Sequence, residues 1–226
     1  MSDNCRNKQE VISKLQKEAK EFLMSKIIIE GIVIFPKEVE SYYSKMGIFE
    51  DDSVHGNKLQ RNKRDHFYIH RWGKEEQDAY KGGNRAGIDF VISDNEDEYY
   101  SILIRSAIVN GDQIVGPHKV LEKIKSDSNL SYKEIENKMI KVEPNFTSNN
   151  IVLFSRRINL GNKVSEEYQN YYLRAVLCDE YFRGNKYPRK EEMIIQYIIS
   201  TKMTNTQAIE FANKFLGYIP SKIRNS

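Results

Sequence analysis

Glu38 and Glu40 stand two residues apart in Glu-Val-Glu-Ser-Tyr (Glu38 to Tyr42), and a strand turns such a pair of carboxylates to one face. The stretch before them, Ile27 to Phe35, is largely apolar, and Tyr42 and Tyr43 follow directly. An acid held between such walls is a candidate general base toward water. Arg105 closes the run Ile-Leu-Ile-Arg, where a guanidinium could fix that water or a phosphate beside the acid. Tyr42, His55, Tyr68 and Trp72 offer flat faces for stacking, and Asp89, inside Ile-Asp-Phe, needs a partner if it is buried. An acid, stackable rings, polar edge readers and an arginine are what a pocket needs to hold a nucleobase while water attacks its sugar. Each has a plainer reading when taken singly. Strand acids usually face solvent, strand rings usually fill a core, and an edge arginine snorkels to water. His66 and His70 share a strand face, but no third ligand stands at a telling spacing, so neither metal nor cofactor is expected.

The elements that must position these residues follow from periodicity. Residues 8–25 carry apolar side chains at three- and four-residue spacing and predict a helix. Ile27 to Phe35 predicts one buried strand or two pieces meeting at Gly31, ended by Pro36, with a further strand over Glu38 to Tyr43. His66 to Trp72 reads as a strand, residues 74–85 as a mobile connection, and Gly87 to Ser93 with Tyr99 to Val109 as a hairpin. Gly116-Pro117 opens a helix, and Ser131 to Glu134 is a capping box before another. Ile151 to Leu160 and Tyr171 to Leu177 predict strands, and beyond Cys178 the pattern is helical, with Thr204 to Gln207 as a cap and Gly217 as a stop. The expected fold is α+β: a single-domain curved, mainly antiparallel β-sheet with surrounding helices over residues 1–178, plus a helical extension over 179–226.

The 226 residues carry a net charge of only +3, yet the basic side chains cluster, with Lys58, Arg61, Lys63 and Arg64 in one group and Arg183, Lys186, Arg189 and Lys190 in another. Beside a base pocket such clusters fit a DNA backbone, and the two terminal helices could form an accessory DNA-binding element. The two cysteines, Cys5 and Cys178, lie far apart and form neither a disulfide framework nor a ligand set, which fits a reducing cytoplasm. No apolar run approaches a membrane span and the N-terminus lacks a signal-peptide pattern.

In their order along the chain these motifs resemble those of the alkyladenine (3-methyladenine) DNA glycosylases. The counterparts are Glu38-Val-Glu40-Ser-Tyr42, Asp51 with His55, His66-Phe-Tyr68 with Arg71-Trp72-Gly73, Ile88-Asp89, Leu103-Ile-Arg105-Ser, Gly116-Pro-His-Lys-Val120, and Arg157-Ile-Asn with Tyr171-Tyr-Leu-Arg174, spanning roughly residues 27–177. The resemblance implies Glu40 as the general base for attack at C1′, Arg105 as a holder of the water, and Tyr42, His55 and Tyr68 as the rings around a flipped base. It implies Arg71 or Trp72 as the side chain that fills the gap in the duplex, where the family uses a tyrosine. Because no lysine occupies a matched catalytic position, the expected enzyme is monofunctional, a monomer acting on double-stranded DNA and leaving an abasic site. Three features depart from the family pattern: Asp89 replaces an asparagine at the pocket floor, residues 74–86 are inserted, and the helical extension has no counterpart. A carboxylate at position 89 would favour a base offering hydrogen-bond donors, or sugar hydroxyls attached to a base. Substrates of two kinds are therefore expected, an alkylated purine or a hypermodified phage base such as glucosylated hydroxymethylcytosine, the latter implying antiviral defence. The competing readings are a nucleic-acid-binding module without turnover, and a structural domain in which Glu40, Asp89 and Arg105 lie far apart.

Overall fold

A computed structural model describes residues 3–145 and 150–224. In chain order the helices are α1 (Asp3–Leu23), α2 (Pro117–Ser128), α3 (Tyr132–Asn137), α4 (Glu166–Asn170), α5 (Glu180–Gly184), α6 (Lys190–Ser200), α7 (Asn205–Leu216) and α8 (Ser221–Arg224). The strands are β1 (Ser25–Ile29), β2 (Ile32–Lys45), β3 (Phe49–Glu50), β4 (Phe67–Ile69), β5 (Ile88–Val91), β6 (Glu98–Val109), β7 (Asp112–Val115), β8 (Lys141–Pro144), β9 (Ile151–Ser155) and β10 (Arg174–Cys178). The result is an α+β fold in which helices surround one curled antiparallel sheet, with further helices at the C-terminus.

The 14-residue β2 is the axis of that sheet. One edge pairs with β6 from Ile34 to Lys45, while the other is shared in succession by β1, β10 and β3. Beyond β6 lie β5 and then β4, and beyond β1 lies β8. Glu30 and Gly31, both at positive φ, make the tight turn between β1 and β2, so the Ile27 to Phe35 run is two pieces. Pro36, expected to stop the strand, lies inside it opposite Ala107. The register slips on either side of Glu38, leaving Lys37 on β2 and Arg105 on β6 without Cα partners. Two facing bulges of this kind let the strand pass a proline and re-aim a side chain, here that of Arg105.

Alternation along β2 then divides the molecule. Val39 and Tyr43 join the main apolar cluster, with Ile104, Ile102, Phe90 and the Ile12, Leu15, Ala19 and Phe22 stripe of α1. Phe22 stacks on Phe90 with ring centroids 5.0 Å apart. The opposite face of β2 carries Glu38, Glu40 and Tyr42, and its neighbours in register are Arg174 on β10 and Leu103 and Ser101 on β6. Asp89 stands beside Leu103, and Tyr68 beside Asp89, so five strands deliver polar residues to one surface.

Helices α5 to α8 form a second apolar cluster with Leu153, Val176 and Cys178 from the outer side of β9 and β10. Thr204 caps α7 in a box with Gln207, and Gly217 ends it at φ 78°. The extension thus covers sheet surface. β8 has no sequence signal of its own, because Lys141-Val-Glu-Pro is short and two of its four residues are charged. Its pairing with β1 supplies the order.

Candidate functional site

Glu40 is fully buried and every partner it has is a donor. Its Oε2 accepts from the Tyr42 hydroxyl at 2.9 Å and from Arg105 Nη1 at 3.2 Å, and its Oε1 accepts from the Ile158 N–H at 2.9 Å. The walls around the acid are therefore hydrogen-bonding groups rather than the apolar surfaces expected from its flanking residues. Glu38 serves differently, as an anchor. Its Oε1 accepts from Arg105 Nε at 3.2 Å and from Arg174 Nε at 2.7 Å. Arg174 is fully buried and also reaches Ser155 and the Pro188 carbonyl. Glu38 with Arg174 thus holds Arg105, and Arg105 bridges to Glu40. The hydroxyl of Tyr42 is held protonated far beyond neutral pH, by burial first and by Glu40 next to it.

Tyr42, Arg105 and Ile158 border a cavity of about 570 Å³, within the size range of small-ligand pockets. Glu40 lies directly behind these three. The far wall is built from β4, β5 and the segment that joins them. Asp89 accepts from His70 Nε2 at 2.7 Å and from Ser101 Oγ at 2.8 Å. Burial alone would raise its pKa, but the facing His70 outweighs this and leaves it lowered. With both oxygens engaged and 1% exposure, Asp89 has little left to offer a ligand, and the groups in front of it become the readers.

Those groups are His55, His70 and Lys81. His55 lies edge-on to His70, ring centroids 4.5 Å apart, and its Nε2 is 2.9 Å from Lys81 Nζ. Burial, then the neighbouring His70 and Lys81, lower the His55 pKa to about 3, so its ring is neutral at physiological pH. Its Nε2 must then accept from the Lys81 ammonium, which places the ring proton on Nδ1, 3.3 Å from the Tyr68 hydroxyl. Tyr68 is fully buried behind His55 and does not border the cavity, while His70, two residues on, does.

The connection that carries Lys81 is pinned to β4 and its extension. Trp72 N–H donates to the Ala79 carbonyl, Lys81 N–H to the His70 carbonyl, and Arg71 bridges to Tyr80. Segment 74–85, expected to be a mobile connection, folds back along this extension and lends Lys81, Asn84 and Arg85 to the cavity wall. Gly87 is required where this arm returns, since a Cβ there would lie 2.7 Å from the His70 ring.

Arg71 and Trp72 part company. Arg71 is buried, ion-paired with Glu136 and hydrogen-bonded to the Tyr80 hydroxyl and the Asp78 carbonyl, so it does not reach the surface as a duplex-filling side chain would. Trp72 is 58% exposed, with the guanidinium of Arg85 5.1 Å from its ring. Removing Trp72 should leave the melting temperature nearly unchanged and weaken affinity for a duplex, by about 1–3 kcal/mol if its ring stacks on a base. Parallel melting curves and titrations of Trp72→Ala against wild type would check this.

The basic group before β4 is partly answered by acids. Lys58 pairs with Glu75 at 2.6 Å and Arg64 with Asp94 at 3.2 Å, and Arg61 lies over Tyr99, while Lys63 is exposed. In the extension, Arg189 pairs with Glu192, and Lys190 donates to the carbonyls at the end of α5. Among the described residues no cluster of three or more His, Cys, Asp or Glu side chains is placed to hold a metal ion, and no helix is long and apolar enough to cross a membrane.

Sequence reasoning brought Glu40, Tyr42, Arg105, His55 and Asp89 to one place. It missed Lys81 and His70 as wall residues, and it gave no role to Arg157, whose guanidinium lies 4.8 Å from the centroid of the Tyr42 ring and pairs with Asp51 at 2.6 Å. No family model matches the chain, and no curated protein matches it significantly.

Proposed function

We propose that the protein is a DNA glycosylase that flips a modified nucleobase into this cavity and releases it by hydrolysis, leaving an abasic site. The observation that carries this reading is the Glu40–Arg105–Tyr42 constellation, in which Arg105 and Tyr42 border the cavity that His55 and His70 also line and Glu40 lies directly behind them. Glycosidic cleavage develops positive charge on the sugar, and a carboxylate beside it both takes a proton from water and stabilises that charge. Arg105, anchored by Glu38, holds Glu40 in place. The order of the motifs, similar to that of the alkyladenine DNA glycosylases, supports the same assignment. Trp72 with Arg85 beside it is the side chain suited to enter the gap left by the flipped base. With water as the nucleophile the enzyme is monofunctional and needs neither metal nor cofactor. The substrate is an alkylated purine or a hypermodified base such as glucosylated hydroxymethylcytosine, and in the second case the role is antiviral.

One observation favours the alternative of a binding module without turnover. Glu40 has no exposure, so a water reaches it only if Tyr42 or the Ile158 segment draws aside when a base enters. A duplex carrying a pyrrolidine abasic nucleotide, whose ring cation imitates the charged sugar, separates the two. A glycosylase should bind it about 100-fold more tightly than the unmodified duplex, because transition-state mimics exceed substrates by at least this much. Equal affinity for the two duplexes would favour the binding module.

A further inference from the structure

Substrate charge is the property on which the cavity wall makes the most specific demand. Its basic lining consists of Lys81, Arg85, Arg105 and Lys119 against the acids Asp52 and Asp89. Arg105 is answered by Glu38 and Glu40, Asp89 is answered by His70, and Asp52 accepts from the Ser165 N–H. Among the described residues Arg85 and Lys119 have no acid partner, Arg85 lying over the Trp72 ring, and Lys81 is held by the neutral ring of His55. One ammonium N–H is spent on His55 Nε2, and among the described residues Lys81 Nζ, which lines the cavity, has no second hydrogen-bond acceptor. The groups around it are His55, His70, Asp89, Arg85 and the Trp72 ring, and the carboxylate among them, Asp89, is already engaged by His70 and Ser101.

We propose that the cavity selects an uncharged base over a cationic one, and that Lys81, seated on His55, reads and protonates the acceptor edge of that base as it leaves. The inference rests on the glycosylase reading and names its substrate class. A purine alkylated on N3 or N7 carries a positive charge, departs as a neutral molecule and needs no proton. In this cavity it would meet a like charge. An uncharged base departs with the electron pair of the C1′–N bond and would be an anion unless a proton arrives. Lys81 gives one ammonium proton to a ring or exocyclic acceptor of the base, Glu40 takes a proton from the water whose oxygen bonds to C1′, and solvent exchange restores both groups. The sum is one water added across the glycosidic bond. Burial lowers the Lys81 pKa, opposed in part by Asp89, which makes the proton easier to donate.

The test uses the full chain on four DNA substrates: duplex with the cationic base 7-methylguanine, duplex with hypoxanthine, duplex with hydroxymethylcytosine, and phage DNA with glucosylated hydroxymethylcytosine. Rates are measured over spontaneous loss for wild type, Lys81→Met and Lys81→Arg. The expected result is faster release of at least one uncharged base than of 7-methylguanine, with a loss of about 100-fold on that base in Lys81→Met and little change on 7-methylguanine. Lys81→Arg keeps the charge and the donors but holds its proton, so it should keep KM and lose kcat. An ammonium acid is lost as pH rises through its depressed pKa, so release of the uncharged base should fall at a pH below the ordinary lysine range, and only with Lys81 present. A preference for 7-methylguanine, or an equal slowing of both classes by Lys81→Met, would overturn the inference and leave the glycosylase reading standing. Release of no base from any substrate would overturn that reading, and this inference with it.

Discussion

Glu40→Gln should release modified base about 1,000-fold more slowly than wild type, within the 10²–10⁴ range of general acid–base catalysis. The magnitude follows from what the side chain would lose. Glu40 is the carboxylate that reaches both Tyr42 and Arg105, and no second acid can replace it, because Glu38 is held by Arg105 and Arg174. The substitution is not silent for the fold. All three partners of Glu40 are donors, so whichever end of the glutamine amide carries NH₂ must face a donor. A mismatched buried hydrogen bond costs about 1–3 kcal/mol. Rates should therefore be compared at a temperature where circular dichroism shows both proteins folded. A variant that is folded and binds DNA with a rate within a few-fold of wild type would remove Glu40 from the mechanism.

The largest loss of stability should come from Arg157→Met. Arg157 and Asp51 have no side-chain exposure, and the guanidinium also donates to the Ser41 and Tyr168 carbonyls. Truncation leaves the Asp51 carboxylate in the interior with, among the described residues, only the Ser53 N–H and hydroxyl as partners. Breaking a buried pair in this way costs about 3–5 kcal/mol. For a chain of this length each kcal/mol moves the midpoint by about 2–4 °C, so the melting temperature should fall by roughly 10 °C. Adding Asp51→Leu to the same protein should recover part of the loss, since the uncompensated charge and not the missing arginine carries most of it. A double variant no more stable than Arg157→Met would show that the cost lies elsewhere. The Tyr42 ring would also lose the cation beneath it, so base release should fall even where the protein stays folded.

What the sequence disclosed about this fold was local. The caps at Ser131 and Thr204, the proline-opened α2 and the alternation that puts Glu38, Glu40 and Tyr42 on one face depend on residues within a few positions of one another. The features that stayed hidden depend on distant partners. β2 passes Pro36 only because a bulge on β6 compensates the slip, and Arg105 aims at Glu40 for the same reason. Arg71 turns inward because Glu136, 65 residues away, lies beneath it. Lys81 reaches His55 because the arm between Arg71 and Tyr80 folds back on β4, although its glycines and charges read as a loose connection. Asp89 shows the limit most clearly. Its burial could be anticipated from Ile-Asp-Phe, but not its pairing with His70, which engages the carboxylate and leaves the groups in front of it to line the cavity.

The most direct measurement is mass spectrometry of free bases released from methylated genomic DNA and from phage DNA rich in modified cytosines, with wild type and Glu40→Gln side by side and abasic sites scored by alkali. A glycosylase working through Glu40 should yield a released base and a matching number of abasic sites with wild type, and almost none with Glu40→Gln. Intact DNA with both proteins, each holding it with the same affinity, would contradict it.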